Sequence, residues 1–469
     1  MCLMRALRFA LGIVFVFASA NIGHADTGLP LRGKKGEKPN VLLLTIDTLR
    51  MDHLGVYGYD LPTSPSIDRL AAEGVLFTDA ITPVPMTAPA LAAMLTGQHV
   101  NKHHVTENAG TFSAQVTSVA EAFRDAGYET AGFYGNEAVE EFGRGFGTFH
   151  KFPVRKAEQG RMAADERGVE KGIEWLKGAK EPWFLWLHFI DPHGAYDSSP
   201  PSRSAAFEYE DSPELDKKLE HSTKNWVYGA IPRYQHLPDT YRVGDYVRRY
   251  DGEIVGTDLQ IGRLRDWLEK KGELEETLIV LTADHGESLG EDNYYFQHGK
   301  RLNESSLRIP FLLRHGALPS GKKVDAPISL IDVYPTIAAL VGLPPPRDVD
   351  GQDVSGAVFG QSLGDRLRVT YTVTPDLQVG IFRGQRRLHG RPRKNEDGSV
   401  QVDDFPLVFL TDTTSYPETR LKPRDHRKEL RDMKAELVDA SRKIRDFTAP
   451  SVDLTEKQTD RLRALGYIE

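Results

Sequence analysis

Leu278-Ile279-Val280-Leu281-Thr282-Ala283-Asp284-His285-Gly286-Glu287-Ser288-Leu289-Gly290 is the stretch from which the fold is read. Its first four residues form an apolar, partly β-branched run with the length of a strand buried on both faces. The run stops at Thr282, and two metal-ligating residue types, Asp284 and His285, follow it. Gly286 behind them permits a sharp turn. In open α/β sheets ligands collect beyond the carboxyl ends of strands, so chemistry is expected here. Val41-Leu42-Leu43-Leu44-Thr45-Ile46 followed by Asp47 has the same grammar. A single acid after a strand is commonly a helix cap, but two such ends with a neighbouring histidine point to one shared cation.

Outward from these two runs, strands alternate with helices. Residues 66–74 and 118–127 read as short helices and 87–95 as a third, entered through Pro85 and Pro89 and ending near Gly97. Residues 77–82, 130–134 and 184–190 are strand-like, the last closing on Asp191-Pro192-His193. Residues 246–271 carry a long helical pattern, with Val247, Tyr250, Ile254, Ile261, Leu264 and Leu268 at core spacing. This alternation predicts an α/β fold, a three-layer sandwich in which helices cover both faces of a large, mostly parallel sheet. After Leu343 the character changes. Pro344-Pro345-Pro346 marks a boundary, and residues 369–374, 377–382 and 407–410 read as strands of a smaller C-terminal α+β subdomain. Residues 422–446 read as a charged, solvated helix. The expected organisation is a signal peptide over 1–25, a polar linker over 26–38, a catalytic domain over 39–345 and a C-terminal subdomain with a helical tail over 346–469.

The chain has 469 residues and a formal net charge of −8. No basic stripe interrupts that balance, which argues against a nucleic-acid partner. Arg5 and Arg8, the apolar run from Phe9 to Ala20 and the small residues Gly23-His24-Ala25 have the grammar of a secretory leader. The alternative is an uncleaved anchor, for which the run is short. The single cysteine, Cys2, lies before the apolar run, so the mature chain is expected to have neither disulfide nor thiol chemistry and to work in a bacterial periplasm or outside the cell.

Three further pieces carry chemical residue types. In Pro85-Met86-Thr87-Ala88-Pro89 a hydroxyl stands at a helix start, where free N–H groups and the dipole favour an anion. A metal there would make Thr87 a nucleophile; an ordinary N-cap is the other reading, and local sequence alone favours it. His188-Phe189-Ile190-Asp191-Pro192-His193 places His193 where it can ligate a metal or protonate a leaving oxygen. In His298-Gly299-Lys300, His298 or Lys300 can offset charge on a bound oxyanion. Each histidine taken alone is more often structural.

In order along the chain, these pieces resemble the sulfatase family of the alkaline phosphatase superfamily. The resemblance covers about residues 38 to 352. It rests on Pro39-Asn40-Val41 through Asp47-Thr48-Leu49-Arg50-Met51-Asp52-His53-Leu54-Gly55, on residues 92–97 and 127–133, on Leu187-His188 through His193, and on the central motif with residues 306–310 and 331–336. The tail Leu462-Arg463-Ala464-Leu465-Gly466-Tyr467 is also similar to that of many bacterial members. The resemblance implies an alkaline phosphatase-like fold, and one divalent cation bound by Asp47, Asp284 and His285. Calcium is the ion it favours, while the ligand set also suits manganese or zinc. It implies Thr87 at the nucleophile position, His193 against the ester or leaving group, and His298 close by, with a small anionic ester, of a sugar or a lipid headgroup, as substrate. The departures concern charge and chemistry. Family sulfatases carry Cys or Ser at the nucleophile, followed by x-Pro-x-Arg, and convert it to formylglycine. Here the position is Thr87, Pro89 is kept and Leu91 replaces the arginine. Thr48 stands where many have a second acid, and Asn136 follows Gly135 where a lysine is expected. A threonine ester must be opened by water, which suits phosphoryl better than sulfuryl transfer. Two functions follow: hydrolysis of a sulfate or phosphate ester through Thr87, or, given the missing cations, binding of an anion with little turnover.

Overall fold

The computed structural model describes residues 30–445 except 109, 153–163, 198–206, 211, 374–376, 396–399 and 415–418, together with residue 459. The expected leader therefore lies outside the described residues. No described helix is long and apolar enough to cross a membrane.

Eight strands form the main sheet: β1 (Asn40–Ile46), β2 (Val75–Phe77), β3 (Glu129–Tyr134), β4 (Thr148–Lys151), β5 (Trp183–Phe189), β6 (Thr277–Ala283), β7 (Phe311–Arg314) and β8 (Lys322–Val324). Their spatial order is β8-β2-β7-β6-β1-β5-β3-β4, and only β7 runs against the others. The two apolar runs of the sequence are thus the two central neighbours, β1 and β6, each buried along its whole length. Burial on both faces is why their residues are apolar without alternation. They pair in parallel with Ile46 beside Ala283. The next residue of each strand is therefore an aspartate, and Asp47 and Asp284 emerge side by side.

The helices α1 (Pro65–Ala72), α2 (Thr87–Thr96), α3 (Val119–Asp125), α4 (Ala164–Leu176), α5 (Val243–Lys271) and α6 (Val333–Leu340) complete the layers around that sheet. Sequence signals explain several boundaries. Ser118 and Glu121 form a reciprocal capping box at the start of α3. Gly97, in the left-handed region at φ 68°, ends α2. The long helix α5 begins at Val243, three residues before the expected Tyr246, and carries buried acids into the interior. One of them, Asp258, accepts the first N–H groups of α1 from Ser66 and Ile67 at 2.8–3.0 Å, acting as a cap supplied from a distant helix.

The C-terminal subdomain is an antiparallel sheet, β9 (Leu367–Tyr371), β10 (Val379–Arg383), β11 (Arg386–Arg391), β12 (Leu407–Asp412) and β13 (Thr419–Arg420), with α7 (Arg427–Arg445) packed against β10 and β11. The expectation of a solvated helix is corrected here. Met433, Leu437, Ala440 and Ile444 recur at helical spacing and are buried, so one stripe of α7 belongs to a core. That core crosses the subdomain boundary, because Val84, Met86 and Val100, which flank α2, share it with Tyr371, Val379 and Ile381. The Tyr371 hydroxyl also accepts the N–H of Val100 at 2.9 Å.

Candidate functional site

The parallel register places three ligand-bearing side chains at one point. One ligand atom from each of Asp47, Asp284 and His285 lies within 4.8 Å of the other two, and all three residues are fully buried. Among the described residues this is the one such cluster. Asp284 Oδ1 is occupied, accepting the N–H of Thr48 at 3.1 Å and of His285 at 2.7 Å. Its Oδ2 and the Oδ1 of Asp47 are buried with no protein partner. Two adjacent carboxylates without solvent repel each other: burial, and then Asp284, hold the Asp47 carboxyl well above its ordinary range, and burial pushes Asp284 up to about 6. A cation held by these side chains would remove that cost.

The histidine is presented in the matching tautomer. His285 Nδ1 lies 2.8 Å from the Gly286 carbonyl, which can only accept, so Nδ1 carries the proton and Nε2 offers a lone pair. Burial holds this imidazole well below its ordinary range, as a neutral ligand requires. Nε2 stands 3.5 Å from Asp284 Oδ2 and 3.4 Å from Thr87 Oγ1. The donor set therefore fits a divalent ion. Gly286 has a reason other than the expected sharp turn: a Cβ there would lie 1.9 Å from the Ser305 carbonyl oxygen, so the residue is small to let that segment close in.

Thr87 is the first residue of α2, and the N-cap is Met86, which has no capping side chain. The N-cap reading of Thr87 is thus replaced. Asn108 Oδ1 accepts the next N–H, that of Ala88, at 2.9 Å. Thr87 is wholly buried and faces His285.

His298 and His193 stand beyond His285, with ring centroids 4.4 Å apart for His285–His298 and 5.3 Å for His193–His298. His193 Nδ1 donates to the Gly194 carbonyl at 2.8 Å, so its Nε2 is a proton acceptor in this state. Burial holds both rings down to about 3. The Lys300 ammonium lies 4.3 Å from the centroid of the Trp226 ring.

Four further residues around the cluster carried no role in the sequence reading, although Thr48 and Asn136 were noted there as departures. Glu287, fully buried, accepts from His298 Nδ1 at 3.1 Å and from the Tyr196 hydroxyl at 3.1 Å, and burial raises it to about 7. His188 on β5 faces the aspartates. Its Nδ1 lies 3.0 Å from Thr45 Oγ1, which accepts the Trp186 indole at 2.9 Å. Its Nε2 stands 3.8 Å from Asp47 Oδ2, beyond hydrogen-bonding distance, and is buried without a partner. Asn136, at the position of the expected lysine, donates its amide to Asp47 Oδ2. Thr48 sits in the left-handed region at φ 56°, which aims its N–H at Asp284. Glu287 and His188 lay inside the motifs already quoted, and adjacency to Asp284 and to β5 was the available signal.

A sequence model of the Sulfatase family matches residues 39–343. The chain belongs to the sulfatase family. It is 27% identical to a sulfatase of Formosa agariphila, across 73% of this chain and 76% of that one. It is 25% identical to the N-acetylglucosamine-6-O-sulfatase of Bacteroides thetaiotaomicron, across 67% and 70%. Among solved structures, one in complex with its substrate D-glucosamine-2-N,6-O-disulfate superposes with a TM-score of 0.70 at 18% identity, covering 88% of this chain and 99% of that one. The phosphonate monoester hydrolase of Agrobacterium radiobacter gives 0.66 at 19%, covering 90% and 99%. The chain thus shares the fold of both, within a family of ester hydrolases.

Proposed function

We propose that this sulfatase-family chain hydrolyses a small anionic ester at the Asp47–Asp284–His285 centre, with Thr87 as nucleophile and phosphoryl the favoured group. The observation that carries the reading is the Thr87 hydroxyl, buried at the head of α2 and 3.4 Å from the lone-pair nitrogen of His285. One divalent cation, calcium by family likeness and otherwise manganese or zinc, would sit among the three side chains and supply positive charge to the ester oxygen and the attacking hydroxyl. The chain's own groups do the rest. The N-terminal end of α2 favours an oxyanion beside Thr87. The Asn136 amide holds the Asp47 carboxylate in place. Thr87 oxygen attacks phosphorus as the ester oxygen leaves, and water then opens the threonine ester and regenerates the hydroxyl. His193 and His298 handle the proton, taking that of the hydroxyl and returning it to the departing oxygen. Lys300 offsets charge on the distal side. The relative named for N-acetylglucosamine-6-O-sulfatase supports a sugar ester, and the resemblance equally admits a lipid headgroup. The residues before 26 support export to the periplasm or beyond.

The test is acid-quenched intact mass of the protein after separate exposure to an aryl phosphate and an aryl sulfate. The expected result is an adduct on Thr87 with the phosphate ester, absent in T87A, whose phenol release falls on the order of 10³-fold or more. T87A that turns over at the wild-type rate overturns the nucleophile. Metal-loaded wild-type protein that forms no adduct and releases no phenol favours the anion-binding alternative.

A further inference from the structure

A concentration of positive charge lies outside the Asp47–Asp284–His285 cluster and plays no part in the chemistry above. A cavity of about 290 Å³ opens between the C-terminal sheet and residues 301–305. Arg387 and His389 of β11 line it from one side, Arg301, Asn303 and Ser305 from the other, and Arg420 of β13 adds a third guanidinium. Arg387 is 1% exposed and is anchored by donating to the Leu302 carbonyl at 2.7 Å. Arg301 is seated against Tyr228, donating to its hydroxyl at 3.0 Å, and Arg420 lies 4.0 Å from the Phe409 ring centroid. Neither makes an ion pair with a carboxylate among the described residues.

The acids that also line the cavity do not cancel this charge. Glu291 is bound by Arg50 at 2.7 Å and Glu304 by Arg308 at 3.2 Å, which leaves the exposed Asp292. His389 reports the balance: burial and the three guanidinium groups hold its imidazole well below the ordinary range. Its Nδ1, the Ser305 hydroxyl and the Asn303 carbonyl oxygen are all buried without a partner. Buried polar atoms are almost always satisfied, so three orphans facing one cavity imply that something else satisfies them. A guanidinium group matches the oxygens of a sulfate, phosphate or carboxylate, while a hydroxyl and an amide oxygen match sugar hydroxyls beside it.

We propose that this cavity binds an anionic group at a site separate from the Asp47–Asp284–His285 centre. Its oxygens would engage Arg301 and Arg420, with Arg387 behind them. Only two residues separate His298 from Arg301, and the Lys300 carbonyl between them accepts from Gln378, another lining residue, at 2.7 Å. The group is therefore either a second charge on a long anionic sugar reaching both places or a free inorganic oxyanion. The proposal does not depend on Thr87 chemistry, and its test reads binding alone.

Crystals of the full chain are soaked in selenate and measured at the selenium edge, for the wild type and for R301Q/R420Q. Circular dichroism checks that the variant is folded. The expected result is a selenium peak in the cavity within hydrogen-bonding reach of both arginines, absent in the variant. No peak there, or one unchanged in the variant, overturns the proposal. Calorimetric titration with sodium sulfate and with a heparin-derived tetrasaccharide separates the sources. A loss of about tenfold or more in tetrasaccharide affinity in the variant marks a subsite for polymeric sugar. A loss confined to sodium sulfate marks a free-anion site, and no loss with either ligand overturns the proposal.

Discussion

Replacing Asp47 by asparagine should have opposite effects with and without metal. Without a cation, Asp47 and Asp284 are two buried acids at close range, and the first is held far above its ordinary range by that surrounding. The amide of D47N removes one charge and still accepts from Asn136, so in excess chelator the variant should melt above wild type. With metal in excess the order should reverse, because an ion that binds only the native state stabilises it by about 2.7 kcal/mol at a hundred times its dissociation constant, and D47N forfeits most of that. Differential scanning fluorimetry in both conditions decides; the same ranking in both would remove the cation from between these residues. Glu287 calls for a separate test. Its carboxylate fixes His298 through Nδ1, and E287Q should lower kcat on the order of 10- to 100-fold with KM little changed and metal content intact by elemental analysis. At this scale sequence was informative where a residue directly followed a buried strand, as Asp47, Asp284 and His285 do. It was silent where the meaning of a residue lies in a remote partner. Asn136 meets Asp47 from 89 positions away and Asn108 takes the Ala88 N–H that a capping side chain at position 86 would have taken, and no spacing encodes either contact.

Asp258 links two helices and makes their packing depend on pH. Its ordinary carboxyl range lies near 4, and burial raises it to about 6 in the folded chain, against the hydrogen bonds from Ser66 and Ile67 that lower it. A raised carboxyl favours the folded state while it is protonated. That contribution is full below the unfolded value and is lost as pH climbs through about 6. The stability of wild type relative to D258N should therefore fall by roughly 2–3 kcal/mol between pH 4 and 6 and stay level above. Urea denaturation across that range measures it, and a flat difference would show that the carboxyl is not held up. Helices with strong periodicity and strands that are unbroken apolar runs were legible in advance, including β1, β6 and most of α5. The edge strands β4 and β8, the antiparallel β7, and β11 and β13 were less so. They are short, several are half exposed, and they are set by pairing with neighbours rather than by any pattern of their own. The buried stripe of α7 was present as Met433, Leu437, Ala440 and Ile444, but the surrounding charge obscured it.

On the scale of the molecule, the family match ends at residue 343 and contains every residue of the candidate metal centre. A gene fragment that stops there would look complete by motif. The shared core says otherwise. Met86, which immediately precedes Thr87, packs with Tyr371, Val379 and Ile381 from the far side of the boundary, and Val100 hangs its N–H on the Tyr371 hydroxyl. Expression of residues 26–345 alone should give a protein that retains metal with Asp284 and His285 but fails to form the Thr87 adduct. Supplying residues 346–469 as a second polypeptide should restore it in proportion to the complex formed. An N-terminal piece as reactive by itself as the whole chain would refute this. With the shared core intact, the candidate nucleophile is carried by one half of the chain and aligned by the other. Such a pair of halves could be recombined between relatives, or separated by a single proteolytic cut, only with loss of aim.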